Sequence, residues 1–381
     1  MKYFLPIILF ILGSCVEAQN VVFVVIDGAR YTETFGDESH ANIPHMYELS
    51  KQGTLLDEMY NEHLTSTRYA IPALWTGNWE GSYDTIYQGS STQAAYTPSI
   101  FEYFRKQKNM DASQCYYTLT YVSSLWLQSF HPDYGPDYWP TVISSGSSDT
   151  DVLNTTLDVI ENHHPQLLWF YLPAVDHAGH SGDWNTYISA IQTADEIVNT
   201  LWTAIQNDPV YKDNTIMMVT NDHGRHDSAH GGFQNHGCSC NGCQHIMFMA
   251  IGPNIKENYK STIHHETADA AVTASYVLDV NPEYATGSVM TEIFKTMDFH
   301  SNLKLPELMV TNNTIEFTLA SPAKVTLDIY DMLGKRVDVI LENTSVLKEN
   351  KIDFTPNYPK GIYIVKLQNG NSMITKKFYT N

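Results

Sequence analysis

Positive charge is scarce in this chain. Its 381 residues carry 22 Lys and Arg against 42 Asp and Glu, a formal net charge of -20 at pH 7. With no basic stripe to release counterions, nucleic acid is not an expected partner. The same imbalance repels an anionic substrate at long range. A phosphate or sulfate site here needs strong local positive charge, and metal ions are the obvious source. Long apolar runs are scarce as well. Beyond the N-terminus none reaches the roughly 18 residues of a spanning helix. Cysteine is sparse and unevenly spread: five in all, with none between Cys15 and Cys115. Internal repeats and low-complexity tracts are absent.

The chain opens "MKYFLPIILFILGSCVEAQN". One Lys, an apolar run of about ten residues and a small-residue site read as a secretory signal over residues 1–18, cut after Ala18. "LGSC", ending at Cys15, loosely resembles a lipoprotein box, the alternative being a lipid tether. Either way the chain is exported. Cys115, Cys238, Cys240 and Cys243 remain after cleavage. An even count in an exported chain favours disulfides over a thiolate zinc site. Zinc on "CSCNGC" is the alternative, but three cysteines so close together do not easily close a tetrahedron.

What is present is an α/β pattern. "VVFVVIDG" (21–28), "LLWFYLPAVD" (167–176), "TIMMVTND" (215–222) and "IMFMAIG" (246–252) read as strands buried on both faces. Between them, "IPHMYELSKQG" carries a helix that stops at Gly53, and "TPSIFEYFRKQK" one capped by Thr97 with Pro98 at its first position. Residues 183–206 show helical spacing over several turns. A mostly parallel central sheet with helices on both faces follows, in a domain spanning 19–300. From about Phe299 the texture changes to short alternating strands and turn signals such as "LGKR" and "NGNS". Residues 305–381 are read as a separate small β-sandwich.

Three of the four strand runs end in an acid: Asp27, Asp176 and Asp222. In open parallel sheets the ligand crevice lies beyond the carboxyl ends of the strands. In "VDHAGHSG", Asp176 and His180 are four apart, so one helical turn or a tight loop aims both at one point, while His177 points elsewhere. In "TNDHG", Asp222 and His223 are adjacent, and Gly224 permits close backbone approach. Carboxylates and imidazoles without thiolate suit Zn²⁺, with Mn²⁺ or Fe as alternatives. Two ions about 4 Å apart clamp the attacking and leaving oxygens of an in-line displacement. The nucleophile falls in "NEHLTSTRYAIPALWTGNWEG", where Thr65, Ser66 and Thr67 are all candidates at a helix N-terminus. Metal coordination there lowers the hydroxyl pKa.

With these residues assembled, residues 20–296 resemble the alkaline phosphatase superfamily of two-metal hydrolases, nearest its nucleotide pyrophosphatase/phosphodiesterase-like and phosphate-monoesterase branches. The resemblance rests on "VIDG", the Thr-to-"WTG" helix, "DHAGH", "NDHG" and "NHG" in this order. It implies one metal site of Asp176, His180 and His236 and a second of Asp27, Thr67, Asp222 and His223. In the family the nucleophile stands ten residues before the Gly of the "TG" helix end, which selects Thr67. The "RYAIP" after it departs from relatives that carry Pro or Gly-His there. By spacing alone His230 competes with His236 as the last ligand; the "GFQNHG" match decides for His236, leaving His226 and His230 as loop residues. Arg68 either steadies a phosphoryl oxygen or lies at the helix surface. The C-terminal "DIYDMLGKRV" and "KGIYIVKLQNGNSMITKKFY" resemble the sorting domain of the type IX secretion system. That implies export to the medium or cell surface of a Gram-negative bacterium, with the secretion machinery as partner.

The implied function is hydrolysis of a phosphoric ester, small or glycan-linked, through a phospho-threonine. Sulfatases of the superfamily use a Cys-x-Pro-x-Arg signature, which the cysteine-free stretch before Cys115 lacks. Phosphonate hydrolysis stays open, and a non-catalytic metal or glycan binder is the rival of another class. The aromatic-rich stretch 82–148 is expected to line the leaving-group pocket. Nothing in the sequence sets the substrate, ester type or oligomeric state.

Overall fold

A computed structural model describes residues 20–120, 127–295, 308–311, 314–319, 323–347, 349–369 and 372–380. The leader expected at 1–18 and the domain junction expected near residue 299 lie outside them.

The chain begins with β1 (Asn20–Ile26), α1 (Pro44–Ser50), β2 (Thr54–Tyr60) and α2 (Thr67–Thr76). Next come the hairpin β3 (Ser82–Tyr87) and β4 (Ser90–Ala95), α3 (Ile100–Lys108), β5 (Cys115–Leu119), β6 (Leu127–Ser129) and β7 (Thr141–Ser144). Then follow α4 (Asp149–His163), β8 (Leu167–Leu172), α5 (Ala174–His180), α6 (Trp184–Asn207) and β9 (Thr215–Thr220). The unit closes with α7 (Asn241–Gln244), β10 (His245–Ile251), β11 (Tyr259–Ser261), β12 (His265–Glu266) and α8 (Thr267–Val277).

The large sheet runs β11-β2-β10-β9-β1-β8-β5-β7, with β12 also on β2. β1 is paired in parallel on both sides, to β8 and β9, and is buried throughout. Val21, Phe23 and Val25 belong to one apolar core with Ile71, Leu74 and Trp75 of α2. Val22, Val24 and Ile26 belong to the other, with Met46 and Leu49 of α1 and Leu201 of α6. Helices on both faces explain why these strands read as continuous apolar runs rather than alternating ones. Each fully buried aliphatic side chain contributes about 1.5–3 kcal/mol, so β1 anchors the sheet and fixes where its carboxyl end lies.

Two local expectations are corrected. Asp176 is not at a strand end: β8 stops at Leu172, Pro173 follows, and Asp176 sits in the first turn of α5. Helix α3 starts two residues later than expected, capped by Ser99 rather than Thr97. The reason is a capping box: the Ser99 N–H donates to Glu102 at 2.7 Å, and this buried carboxylate also accepts from Ser129 Oγ and the Gly135 N–H. Within the mostly parallel sheet, β10 alone among the described strands runs antiparallel to its neighbours, β9 and β2. The connection from β9 loops out and back at one end of the sheet, so no crossover reverses the chain. That loop delivers three of the seven site residues, Asp222, His223 and His236.

Beyond residue 307 lie β13 (Leu308–Val310), β14 (Thr314–Thr318), β15 (Ala323–Asp331), β16 (Arg336–Val346), β17 (Glu349–Asp353), β18 (Gly361–Asn369) and β19 (Ser372–Thr380). They form antiparallel sheets in the orders β13-β14-β17 and β16-β15-β18-β19, around one apolar core that includes Ile315, Phe317, Leu327, Ile329, Val365 and Leu367. The "LGKR" turn joins β15 to β16 with Gly334 at φ 81°. Part of "NGNS" lies outside the described residues. Among the described residues no helix is long and apolar enough to cross a membrane.

Candidate active site

The carboxyl ends of β1 and β9, the short helix α5 and the start of α2 meet at one end of the sheet. Thr67 is the first residue of α2, preceded by Ser66 in extended conformation. Its Oγ1 lies 3.1 Å from His223 Nε2 and 3.5 Å from each oxygen of Asp27. Of the other two hydroxyl candidates, Thr65 is buried and donates to the Cys238 carbonyl at 2.9 Å. Ser66 is the helix cap, with no side-chain capping bond.

Around Thr67 the structure brings together the ligand atoms of Asp27, Asp222 and His223, all within 4.8 Å of one another. His223 Nε2 is 3.6 Å from Asp27 Oδ1 and 3.4 Å from Asp222 Oδ2. A second trio, Asp176, His223 and His236, meets the same limit. His180 joins this side: its Nε2 is 3.3 Å from Asp176 Oδ2 and 3.1 Å from His236 Nε2. The rings of His223 and His236 stack at 4.0 Å. All seven sequence-derived residues therefore converge, with His223 between the two groups. His177 is exposed, and His230 is exposed on the loop, paired with Asp227 at 2.6 Å.

The electrostatics of this cluster ask for cations. Burial, and then the charges of Asp222 and Asp176, push the Asp27 carboxyl well above the usual carboxylate range. Burial, then Asp176, pushes Asp222 up to about 7. Asp222 Oδ1 accepts from the Gly28 and His223 N–H groups at 3.2 and 2.9 Å. Its Oδ2 is buried with no hydrogen-bond partner. Burial also opposes ionisation of Asp176, but the charges of His223, Arg225, His180 and His236 outweigh it and hold that carboxyl below its ordinary value. His236 is pushed down to about 4 by burial and by the charge of His223, so its ring is neutral at pH 7, the form a metal binds. A buried carboxylate oxygen without a partner, among oxygen and imidazole donors, fits a divalent metal.

Sequence reasoning missed the residues that hold the cluster in place. Arg225 is fully buried and pairs with Asp176 Oδ1; its other nitrogens donate to the carbonyls of Phe233 and Gln234. Gly28, at φ 69°, sits against this pair: a Cβ there meets Asp176 Oδ1 at 2.7 Å and Arg225 Nη1 at 2.9 Å. The Tyr171 hydroxyl donates to Asp27, and Asn61 Nδ2 to the Asp222 carbonyl at 2.9 Å. His236 Nδ1 bonds the Thr65 carbonyl at 2.9 Å, tying the last histidine to the nucleophile segment. Only Arg225, a rare cation two residues past His223, left a sequence signal; Tyr171 is hidden inside an apolar run. Arg68 is tied to Asp84 of β3 at 3.0 Å.

Residues 135–279 match the metalloenzyme superfamily, and residues 311–381 match a secretion system C-terminal sorting domain. No curated protein matches the chain. Among solved structures it is similar to murine ectonucleotide pyrophosphatase/phosphodiesterase 5, with 15% identity and TM-score 0.53 over 72% of this chain and 100% of that one. It is similar to a mutant of the alkaline phosphatase PafA, with 10% identity and TM-score 0.57 over 73% and 99%. A 2-O glycosaminoglycan sulfatase matches with 10% identity and TM-score 0.57 over 95% and 83%. At such identities these likenesses show the fold. The chain thus has an alkaline phosphatase-like fold in which residues 135–279 match the metalloenzyme superfamily, and its residues 311–381 match a sorting domain that indicates export by type IX secretion.

Proposed function

We propose that the protein is an exported phosphoric-ester hydrolase, a phosphodiesterase or phosphomonoesterase with Thr67 as nucleophile. The observation that carries this reading is Thr67 Oγ1 at the start of α2, 3.1 Å from His223 and 3.5 Å from Asp27. Asp27, Thr67, Asp222 and His223 would hold one divalent ion, and Asp176, His180 and His236 the other. Zinc is favoured by the donor set, with Mn or Fe as alternatives. When bound, the ions supply the positive charge that the acidic surface lacks and favour the ionised hydroxyl.

The protein's own residues do the rest. The first turn of α2 presents Thr67 Oγ1 and leaves backbone N–H groups free for a phosphoryl oxygen. Oγ1 attacks phosphorus in line, the bond to the leaving oxygen breaks, and that oxygen takes a proton from solvent. Water then cleaves the phospho-threonine, releasing the phosphoryl group and restoring the hydroxyl. Tyr171 and Arg225 hold Asp27 and Asp176 in place throughout. A parallel exists in the murine relative, whose threonine-to-alanine variant is inactive and has been solved in complex with AMP. The leader at 1–18, a catalytic domain at 19–300 and a sorting domain at 305–381 belong to the same reading.

Thr67→Ala is expected to abolish turnover of aryl phosphate mono- and diesters at unchanged metal content. Full activity in that variant ends the assignment. Aryl sulfates and phosphonates in the same screen separate the sulfatase and phosphonate readings, and no turnover of any of the four points to the non-catalytic binder.

A further inference from the structure

The cysteines of "CSCNGC" stand beside this site without taking part in it. The expected disulfides are not formed: all four cysteines outside the leader are free. Cys115 lies buried in β5, with no cysteine partner. It therefore breaks the even count and leaves a trio. The sulfurs of Cys238 and Cys243 are 3.6 Å apart, and the Cys240 N–H donates to Cys238 Sγ at 3.3 Å. The Cys240 sulfur lies beside them, with the ligand atoms of Asp227 and His230 within 4.8 Å of it.

A fourth donor comes from the outgoing limb of the same loop. A ring nitrogen of His226 lies within 4.8 Å of the sulfurs of Cys238 and Cys243, which meet the same limit with each other. His226 Nε2 is buried and has no hydrogen-bond partner. Its neighbours Asp227 and His230 are already committed to each other at 2.6 Å.

We propose that His226, Cys238 and Cys243, the three that already converge, bind a zinc ion in a structural site separate from the hydrolytic pair, with the nearby Cys240 turning in to complete the set. Zinc–sulfur bonds of about 2.3 Å place tetrahedral sulfurs roughly 3.8 Å apart, close to the observed spacing, and thiolate with imidazole is a common closed zinc set. The crowding that argued against zinc in the sequence is relieved because His226 arrives from 12 residues upstream of Cys238.

The site has something to hold. The Gly224 N–H donates to the Cys243 carbonyl and the Arg225 N–H to the Gly242 carbonyl, each at 2.8 Å. A Cβ on Gly224 would meet the Gly242 oxygen at 2.0 Å, so glycine is required for this contact. Thr65 donates to the Cys238 carbonyl, two residues from the nucleophile. One ion here pins the three chain segments that carry His223, His236 and Thr67.

The inference does not rest on hydrolase activity, and its test is spectroscopic. The hydrolytic ligand set contains only oxygen and nitrogen, so zinc–sulfur scattering can arise only from the cysteine cluster. X-ray absorption at the zinc edge is measured on the full chain, purified without chelator and again after adding zinc under reducing conditions. A sulfur shell at about 2.3 Å is expected. Cys243→Ser is expected to weaken that shell and lose one zinc per chain. The wild-type spectrum stands even if the variant does not fold. A spectrum without sulfur in the reduced, zinc-treated protein overturns the assignment. A disulfide between two of the three cysteines in the protein as purified, found by non-reducing peptide mapping, overturns it equally.

Discussion

Arg225 carries its charge where no water reaches it, and the chain accepts the desolvation cost because Asp176 and two backbone carbonyls surround the guanidinium. Removing one member of such a pair strands the other. Arg225→Met is therefore expected to lower stability by about 3–5 kcal/mol, read by urea unfolding of chelator-treated protein. Arg225→Lys keeps the charge but not the forked contacts and should fall between. The loss in the Met variant should shrink once divalent metal is restored, because an ion on Asp176 replaces the missing charge. This scale is also where the sequence was least legible. Asp27, Asp222 and His223 announced themselves by standing after apolar runs. Tyr171 and Asn61 act through single hydrogen bonds that only the folded register creates. Thr65 and Thr67 are the same residue type two positions apart; family spacing favoured Thr67, and their different partners in space distinguish them physically.

At the scale of elements, the strands were readable because residues buried on both faces leave unbroken apolar runs, as in β1, β8 and β9. Direction was not readable: β10 has the same apolar texture as the mutually parallel β1, β8 and β9, and its reversal depends on where the preceding loop returns. Buried polar contacts between elements were equally silent. His265 of β12 bonds Asp269 of α8 at 2.8 Å and Glu292 at 2.9 Å, so three segments share one imidazole. Burial works against its charge, but the two carboxylates outweigh it and raise the ring to about 9. A raised folded-state pKa contributes stability that is complete below the unfolded value near 6.5 and is lost as pH rises through about 9. Melting temperature should therefore fall between about pH 7 and 9.5 in the wild type. His265→Gln should start lower and show a flatter profile over that range. Parallel curves for the two proteins would refute this role.

For the whole molecule, charge and the site pull in opposite directions. A chain of net charge -20 repels an anionic ester at a distance and attracts it only within reach of bound cations. For the proposed hydrolase, kcat/KM for an aryl phosphate monoester should rise severalfold as ionic strength increases from about 0.01 to 0.15 M, because screening removes the repulsion first. A fall over the same range would mean that the approach to the site is locally positive. The reversal of β10 bears on this scale too. The chain leaves the sheet after β9 and rejoins it at the adjoining strand, so residues 221–244 form a detour outside the β9–β10 ladder. Outside its buried anchors such as Asn221 and Arg225, chemistry written in that detour can be rewritten while the strand pairing is kept. One set of strands could thus serve many different reactions.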